Sequence, residues 1–503
     1  MPKRFDTLIN LLSSDFAEKT AVVIPGGGPA ITYADLANQV ESLSQALQRW
    51  GIKAGDCVAI ALPNGLAFLA TFLAVTRVRA IAAPLNSSYT ADEFRAYLQV
   101  VGPRLLIVNV SDGAARAAAE SLSLPVWESD LDVDGRDSLV GPTADPASSA
   151  QVDLPSSDDI ALLLPTSGTT SSPKIVPLTH GNVMSSIQTI ASTYKLGPND
   201  TSLVVMPLFH VHGLLGSTLS ALHTGGTVVI PPRFSASRFW GQVLEHKVTW
   251  YSAVPTIHQI LLMRANQENA PRGVLRFIRS SSSALAPVVL RQLQDRFGAP
   301  VLEAYGMTEA SHQVCSNPLP PGIGKVGSVG LPTGVEVSIL DERGSKVSCG
   351  IRGEIAIRGS SVTYGYCNNP EANAASFTAG WFRTGDEGFL DEEGFLTVTG
   401  RFKEIINRGG EKISPFEVDA VLLQHPAVAQ ALCFGVPDEK YGEEVHAAVV
   451  LRGEASESEL IEFCQDRLAE FKTPRKIHIP KSLPRTTTGK AQRHLMAAQL
   501  VLG

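Results

Sequence analysis

The sequence predicts an α/β protein with a large N-terminal domain of βαβ-type sheets that carries a β-subdomain, and a small α+β C-terminal domain. Three observations lead to this prediction. With 503 residues, the chain is too long for a single hydrophobic core. Short apolar strand-like runs alternate with helical patterns in the N-terminal 310 residues. Between residues 326 and 400 the pattern changes to short strands separated by glycine turns.

The beginning of the chain alternates helical and strand-like patterns. An amphipathic run at 32–50 predicts a helix, and apolar runs at 57–62 and 80–85 predict strands. The apolar run at 66–75 is too short to cross a membrane and predicts a buried helix. This alternation favours a mostly parallel sheet that helices cover. The segment 130–159, rich in Asp, Ser, Pro and Gly, predicts a long connection.

The same alternation returns after residue 200. The runs 202–206, 227–230 and 249–254 are short and apolar, and each ends at Pro or Gly, which is typical of buried strands. The run 353–359 is one of several that glycines bound, and it predicts the β-subdomain.

A domain boundary is predicted close to residue 402. After Gly400 and Arg401 a compact α+β pattern begins, and it has the length of a small domain. We therefore predict an N-terminal domain at 1–402 and a C-terminal domain at 403–503.

Composition and charge exclude several classes of function. A hydrophobic content of 44% and a charged content of 18% fit a soluble globular protein. The net charge of −7, without a basic stripe, argues against nucleic acid as a partner. Six scattered cysteines without a CxxC pair fit a reducing compartment, and neither a zinc site nor a disulfide framework. The sequence lacks the apolar core of a signal peptide, so we expect a cytoplasmic protein without a membrane span. The peroxisome is the alternative location, although the chain does not end in an SKL-type signal.

The segment from Thr166 to Lys174 is the strongest candidate for a functional loop. It follows an apolar strand-like run at 160–164 and places four hydroxyl groups and one glycine in five residues, followed by a proline and a lysine. Backbone N–H groups, hydroxyls and an ammonium group can converge on a polyphosphate in such a loop. The spacing is not that of a Walker A loop. On composition alone, an ordinary surface turn is an equal alternative.

Five further motifs follow this loop along the chain. The six ordered segments are Thr-Ser-Gly-Thr-Thr-Ser-Ser-Pro-Lys at 166–174, Tyr-Gly-Met-Thr-Glu at 305–309, Thr-Gly-Asp at 384–386, Gly-Arg at 400–401, the Gly-Gly loop at 409–410, and Pro-Arg-Thr-Thr-Thr-Gly-Lys at 484–490. Together they resemble the adenylate-forming acyl-CoA synthetase and luciferase superfamily, and the match covers nearly the whole chain. Ser171 stands where the superfamily mostly has glycine. The resemblance favours a phosphate loop over an ordinary surface turn.

The resemblance assigns a role to each segment. Tyr305 would stack on adenine, Thr308 would contact the α-phosphate, and Asp386 would hold the ribose hydroxyls. Arg401 would support the ribose or a phosphate. Glu309 would bind Mg²⁺, which suits an ion that proteins hold by one or two carboxylates together with substrate phosphates. The residues that would bind ATP or AMP are Thr166, Ser167, Gly168, Thr169, Thr170, Lys174, Tyr305, Thr308, Asp386 and Arg401.

The C-terminal segments would supply the catalytic lysine and the coenzyme A site. Lys490 matches the catalytic lysine, whose ammonium group would relieve the repulsion between a substrate carboxylate and an anionic α-phosphate. On a mobile domain it can be present for adenylation and absent for thioester formation. Lys403 matches the hinge, and Gly409 and Gly410 would let the backbone pass against the thiol arm of coenzyme A. Lys412 would contact the nucleotide in the second state. The implied reaction joins a carboxylic acid to coenzyme A through an acyl-adenylate, with ATP, coenzyme A and Mg²⁺ required.

The acyl pocket is predicted to be polar. A run of hydroxyl residues that includes Ser282 occupies positions where fatty or aryl acid enzymes often have small or apolar residues. His312 is expected one helical turn after Glu309, with His210 opposite. Two imidazoles and a hydroxyl suit a second carboxylate better than an acyl chain. The alternatives are an exposed helix position for His312, and for His210 a gate beside any acyl group.

The surrounding sequence resembles one subgroup closely, the plant and fungal oxalyl-CoA synthetases. Ala-Pro-Val-Leu-Glu-Ala-Tyr at 299–305 and Ile-Asn-Arg-Gly-Gly-Glu-Lys-Ile-Ser-Pro at 406–415 are two of the segments that carry this likeness. On that match His210, Ser282 and His312 contact oxalate, and His210 also acts beside Lys490 in catalysis. A 4-coumarate-type or medium-chain acyl-CoA synthetase, a luciferase-like oxygenase and a carrier-protein loader are the alternatives. A non-enzymatic relative would lack Lys490 or Glu309, and both are present.

Overall fold

The computed structural model describes residues 6–131, 137–141, 153–166, 174–265, 270–486 and 488–501. Ser167, Gly168, Thr169, Thr170 and Ser171 of the predicted phosphate loop lie outside the described residues.

Two sheets with parallel central strands form the framework of the N-terminal part. In both of them the strands within the described ranges pair in parallel at the centre and antiparallel at the edges. In spatial order the first sheet contains Asp137–Val140, Val126–Leu131, Leu105–Asn109, Cys57–Ala61, Ile81–Pro84, Ile160–Pro165 and Ile175–Thr179. The second contains Leu331–Pro332, His312–Ser316, Val301–Met307, Phe277–Ser280, Trp250–Ala253, Thr201–Leu203, Thr227–Val229, Thr20–Val23 and Ala30–Thr32.

Helices cover both sheets, as the alternating pattern predicts. The helix Leu66–Arg77 is buried along most of its length and packs in the main hydrophobic core, so its apolar run serves packing. No helix in the described part of the chain is long and apolar enough to cross a membrane. The helices of this part are Tyr33–Trp50, Leu66–Arg77, Ala91–Val101, Gly113–Ser121, His180–Thr193, Val211–Gly213, Ser220–Leu222, Ala236–Glu245, Pro255–Ala265 and Pro287–Phe297, with a π-helical turn at Leu214–Leu219.

An antiparallel sheet forms the predicted β-subdomain. The long strand Trp381–Leu390 pairs with three neighbours, and Glu336–Leu340 pairs with Gly353–Arg358 at the edge. The strands are Glu336–Leu340, Gly353–Arg358, Phe377–Thr378, Trp381–Leu390 and Leu396–Arg401, and the helix Pro370–Ser376 precedes the third.

The last hundred residues have their own sheet and their own core. Apolar side chains from Ile406 to Ile477 form this core, apart from those of the preceding sheets. The strands are Ile406–Arg408, Glu411–Ile413, Val428–Asp438, Gly442–Leu451 and Lys476–His478, and the helices are Pro415–Leu422, Glu457–Gln465 and Arg493–Val501.

Two local predictions are wrong. The segment 130–159 is not only a connection, because Asp137–Val140 adds an antiparallel edge strand to the first sheet. Glu309 does not begin a longer helix: a single 3₁₀ turn, Thr308–Ala310, is followed directly by the strand His312–Ser316. Ser311 and His312 have φ angles of 51° and 99°, which reverse the chain where a helix would have continued.

Candidate active site

The ends of the predicted phosphate loop lie side by side. The Thr166 backbone N–H donates to the Lys174 carbonyl at 2.8 Å, at the open end of a pair of antiparallel strands. The Lys174 ammonium lies 4.7 Å from the centre of the Tyr366 ring. Thr166 and Lys174 are therefore fixed at the base of the loop, and Lys174 points toward the side on which Tyr366 and Glu309 lie.

Arg401 and Tyr305 contact the buried carboxylate of Asp386. Neighbouring strands bring Asp386 and Arg401 opposite each other, and Arg401 Nε lies 3.0 Å from Asp386 Oδ1. The Tyr305 hydroxyl donates to Asp386 Oδ2 at 2.5 Å. Burial raises the pKa of Asp386, and the charge of Arg401 opposes that rise. An ionised Asp386 held between these partners can accept hydrogen bonds from two neighbouring hydroxyls.

Glu309 lies in the 3₁₀ turn with Thr308, next to these residues. Its side chain is buried, and the Tyr366 hydroxyl donates to its Oε1 at 2.8 Å. Burial raises the pKa of Glu309, and the bond from Tyr366 lowers it. The position next to Thr308 fits a divalent cation that also contacts phosphate oxygens. Gly306 makes the turn possible, because a Cβ there would come within 1.6 Å of the His312 carbonyl oxygen.

The Lys490 loop of the C-terminal part docks onto the N-terminal part. Within the loop, the Lys490 N–H donates to Thr486 Oγ1 at 3.0 Å, and Gly489 has a φ of +86° that favours glycine. Thr256, at the start of the helix Pro255–Ala265, donates from its hydroxyl to the Gly489 carbonyl at 2.9 Å.

This docking places Lys490 among the groups predicted to bind the nucleotide. Burial and the charge of Arg401 lower the pKa of Lys490 to about 8, against the opposing charges of Asp386, Glu309 and Glu404. The ammonium group therefore shares one cleft with the phosphate and ribose candidates, as the catalytic lysine of an adenylation step must.

His210 lies between Lys490 and a cluster of polar side chains. It precedes the helical turn Val211–Gly213, and its Nδ1 accepts a hydrogen bond from the His212 N–H at 3.2 Å. Burial, and next the charge of Lys490, lower the pKa of His210 to about 3. The imidazole is therefore neutral and carries its proton on Nε2, where it can act as a hydrogen-bond donor.

His312 is buried in the same cluster. Its ring stacks on His212 with centroids 5.0 Å apart, and its Nε2 lies 3.0 Å from Arg279 Nη1. The prediction of a helical position is wrong, because the chain reverses at Ser311, but the same reversal turns the imidazole inward. Burial lowers the pKa of His312 well below its usual value, and Arg279 is the next cause. The exposed alternative for His312 is therefore excluded.

Ser282 joins the cluster through His212. Its hydroxyl lies 3.0 Å from His212 Nδ1, and His212 Nε2 lies 2.6 Å from Ser252 Oγ. His212, Arg279 and Ser252 were not predicted as site residues. The sequence contains a signal for two of them: His212 lies two residues after His210, and Arg279 is a charged residue in a short strand that begins with two apolar residues.

The residues predicted to serve as hinge and coenzyme A site lie in the turn and the hairpin that follow Arg401. Lys403 is exposed in the turn after Arg401. Gly409 and Gly410 form the tip of the hairpin between Ile406–Arg408 and Glu411–Ile413, with φ angles of 60° and 98°. Lys412 is exposed on the same hairpin.

Comparison with known proteins decides the family. Residues 13–367 match the model of the AMP-binding enzymes, and residues 417–490 match the model of the AMP-binding enzyme C-terminal domain. The chain belongs to this family of AMP-binding enzymes. The predicted fold and the resemblance to adenylate-forming enzymes are thereby confirmed.

The relatives in this family include two named oxalate–CoA ligases. That of Arabidopsis thaliana is 49% identical over 98% of this chain and 98% of its own length. That of Saccharomyces cerevisiae is 43% identical over 96% of this chain and 94% of its own length. Among solved structures, ATP-bound MatB from Rhodopseudomonas palustris is 28% identical, with a TM-score of 0.87 over 98% of each chain. These relatives support the assignment of this chain as an acyl-CoA ligase.

Proposed function

We propose that this enzyme ligates oxalate to coenzyme A at the expense of ATP. In the first step a carboxylate oxygen of oxalate attacks the α-phosphorus of ATP, and pyrophosphate leaves. In the second step the thiol of coenzyme A attacks the carbonyl carbon of the oxalyl-adenylate, and AMP leaves. The products are oxalyl-CoA, AMP and pyrophosphate.

The observation that carries the proposal is the cluster of polar groups beside Lys490. His312 and Ser282 are held within a network of neutral imidazoles and hydroxyls that also includes a buried arginine. A long alkyl or aryl group would leave these buried polar atoms without partners, which costs about 1–3 kcal/mol for each. A small acid with a second carboxylate satisfies them. This chemistry disfavours the 4-coumarate-type and medium-chain alternatives, and no feature of the pocket favours a luciferase-like oxygenase.

The nucleotide groups take the roles that their positions allow. Tyr305 offers a ring face to adenine, Asp386 accepts the ribose hydroxyls and the charge of Arg401 favours the ionised form of Asp386. Ser167, Gly168, Thr169 and Thr170, between the fixed ends of their loop, are proposed to hold the phosphates. Glu309 would hold Mg²⁺, which neutralises phosphate charge when bound.

Lys490 and His210 act on the reacting groups. The ammonium of Lys490 is proposed to bridge the attacking carboxylate and the α-phosphate, so that it compensates the negative charge that accumulates there. His210 would donate from Nε2 to the same carboxylate.

A rotation of the C-terminal domain would then exchange Lys490 for the coenzyme A loop. We propose the domain boundary between Phe402 and Lys403, with Lys403 as the hinge, because the core that follows is separate from those before it. Gly409 and Gly410 would line the path of the thiol arm, where only small residues leave room for it. We place the enzyme in the cytoplasm, with the peroxisome as the alternative; the location of a fluorescently tagged chain in cells distinguishes the two.

The test is pyrophosphate release with ATP, Mg²⁺ and coenzyme A against oxalate, malonate, acetate, octanoate and 4-coumarate. We expect oxalate to give the highest kcat/KM, and His312→Ala to lose oxalate turnover while the KM for ATP changes little. A preference for octanoate or 4-coumarate would refute the substrate and leave the adenylation machinery standing.

A further inference from the structure

Arg279 is a buried cation whose partners are all neutral. Its side chain is fully buried on the strand Phe277–Ser280. Among the described residues it donates hydrogen bonds from Nε, Nη1 and Nη2 at 2.8–3.0 Å, and none of the acceptors is a carboxylate. The acceptors are the Tyr194 hydroxyl, Ser252 Oγ, His312 Nε2 and Gln313 Oε1. A buried charge without a counter-ion is costly. An anion that enters the adjacent pocket is therefore attracted by a positive charge that no described carboxylate neutralises.

Arg276 on the same segment shows the ordinary arrangement. Its Nε and Nη2 atoms each lie 2.9 Å from a carboxylate oxygen of Asp200, a bidentate ion pair. Arg276 therefore has its counter-ion in Asp200, whereas Arg279 has no carboxylate partner among the described residues.

The guanidinium of Arg279 can only donate, and this fixes which nitrogen of His312 carries the proton. Arg279 Nη1 donates to His312 Nε2, so that nitrogen is unprotonated and Nδ1 carries the hydrogen. His312 Nδ1 makes no hydrogen bond to another described residue, so its N–H is available to a ligand.

A second hydrogen bond that Arg279 donates fixes the direction of the hydrogen bonds that lead to Ser282. Arg279 Nη1 also donates to Ser252 Oγ at 2.9 Å, and Ser252 is fully buried. The Ser252 hydroxyl hydrogen then needs an acceptor, which within the described residues is His212 Nε2. His212 must therefore donate from Nδ1 to Ser282 Oγ, and the hydrogen of the Ser282 hydroxyl is left to donate to a ligand.

We propose that Arg279 is the positioning residue that makes this pocket selective for dianionic acids, because it orients both His312 Nδ1–H and Ser282 O–H as donors and supplies the positive charge behind them. This inference rests on the proposed function and adds the residue that determines its specificity. Arg279 acts through His312 and Ser252 rather than through contact with the substrate.

The test compares oxalate with oxamate, which has the same shape and a single negative charge. The measured quantities are the KM for oxalate, the inhibition constant of oxamate against oxalate, and the KM for ATP, in wild type, Arg279→Gln, Arg279→Lys and Arg276→Gln. We expect Arg279→Gln to raise the KM for oxalate at least 30-fold while the constants for oxamate and ATP change less than threefold. Arg279→Lys, which keeps the charge, should recover part of the loss. Arg276→Gln is the matched control and should keep the wild-type ratio of oxalate to oxamate.

Two outcomes separate this inference from the substrate assignment. The decisive quantity is the ratio of the KM for oxalate to the inhibition constant of oxamate. If the wild type prefers oxalate and Arg279→Gln leaves this ratio unchanged, the inference is overturned and the proposed function stands. If the wild type instead prefers another dianion such as malonate, the oxalate assignment fails, and the ratio measured with that acid and its monoamide still tests Arg279. Should Arg279→Gln fail to fold, Ser252→Ala breaks only the hydrogen bonds that lead to Ser282. A wild-type ratio in folded Ser252→Ala would then overturn the inference.

Discussion

Replacement of Gly216 by alanine tests whether the position of His312 determines kcat/KM for the acid substrate. Gly216 lies in the π-helical turn Leu214–Leu219, and a Cβ there would come within 2.6 Å of His312 Cδ2 and Nε2. The ring cannot turn away easily, because His212 stacks on it and Arg279 holds Nε2.

The size of the effect follows from this distance. An ordinary contact begins at 3.4 Å, so the imidazole must move by 3.4 − 2.6, or about 0.8 Å. Displacement of a substrate-positioning group by about 1 Å can cost about 10²-fold in rate. We expect Gly216→Ala to lower kcat/KM for oxalate by roughly 10- to 100-fold, and to destabilise the fold by about 1–3 kcal/mol through overpacking. The KM for ATP should be nearly unchanged.

The assay is steady-state pyrophosphate release at varied oxalate and varied ATP, together with urea unfolding. Gly241→Ala is the matched control: Gly241 lies in the helix Ala236–Glu245, and apart from the helix's own backbone and the two neighbouring residues no described atom lies within 4 Å of its added Cβ. That substitution should stabilise by roughly 0.4–1 kcal/mol and leave kinetics unchanged. A folded Gly216→Ala enzyme with wild-type kcat/KM for oxalate would refute the role of His312 in acid binding.

Two further predictions concern Lys490 and Arg493. Lys490 has a pKa lowered to about 8, so its charged form is present below that pH and lost above it. Oxalate-dependent ATP–pyrophosphate exchange should therefore fall as the pH rises through about 8. Lys490→Arg should show no such fall, because arginine keeps its charge. A wild-type exchange rate that does not change up to pH 10 would contradict this role of Lys490. Arg493 lies 2.8 Å from Asp419 and holds that largely buried carboxylate. Arg493→Met should lower the free energy of unfolding of the C-terminal part by about 3–5 kcal/mol in urea, since a buried charge loses its partner. Arg475, whose side chain is 70% exposed, is the control; Arg475→Met should cost about 0–1 kcal/mol, and equal losses would show that burial does not govern the Arg493 pair.

Sequence patterns predict the framework because local preference and burial agree there. The strand Ile160–Pro165 and the helix Leu66–Arg77 follow from apolar runs that nothing in the tertiary structure contradicts. For Lys490 the prediction rests on resemblance alone, since no local pattern indicates that its loop docks on Thr256.

The inner part of the site could not be predicted in the same way. His312 was expected on a helix, but Ser311 and His312 have positive φ angles that sequence preference disfavours for both residues. The long-range contacts of the fold hold this reversal: Ser311 Oγ donates to the Ser361 carbonyl at 2.8 Å. Arg279 escaped prediction because a charged side chain usually indicates exposure, and its burial depends on acceptors from three distant segments.

The most direct measurement is a crystal structure with oxalate and a non-hydrolysable ATP analogue bound. The account predicts one carboxylate of oxalate beside Lys490 and the α-phosphate. The other carboxylate should lie at hydrogen-bond distance, about 3 Å, from His312 Nδ1 and Ser282 Oγ. An oxalate whose outer carboxylate contacts neither group would contradict the account and return both residues to a structural role.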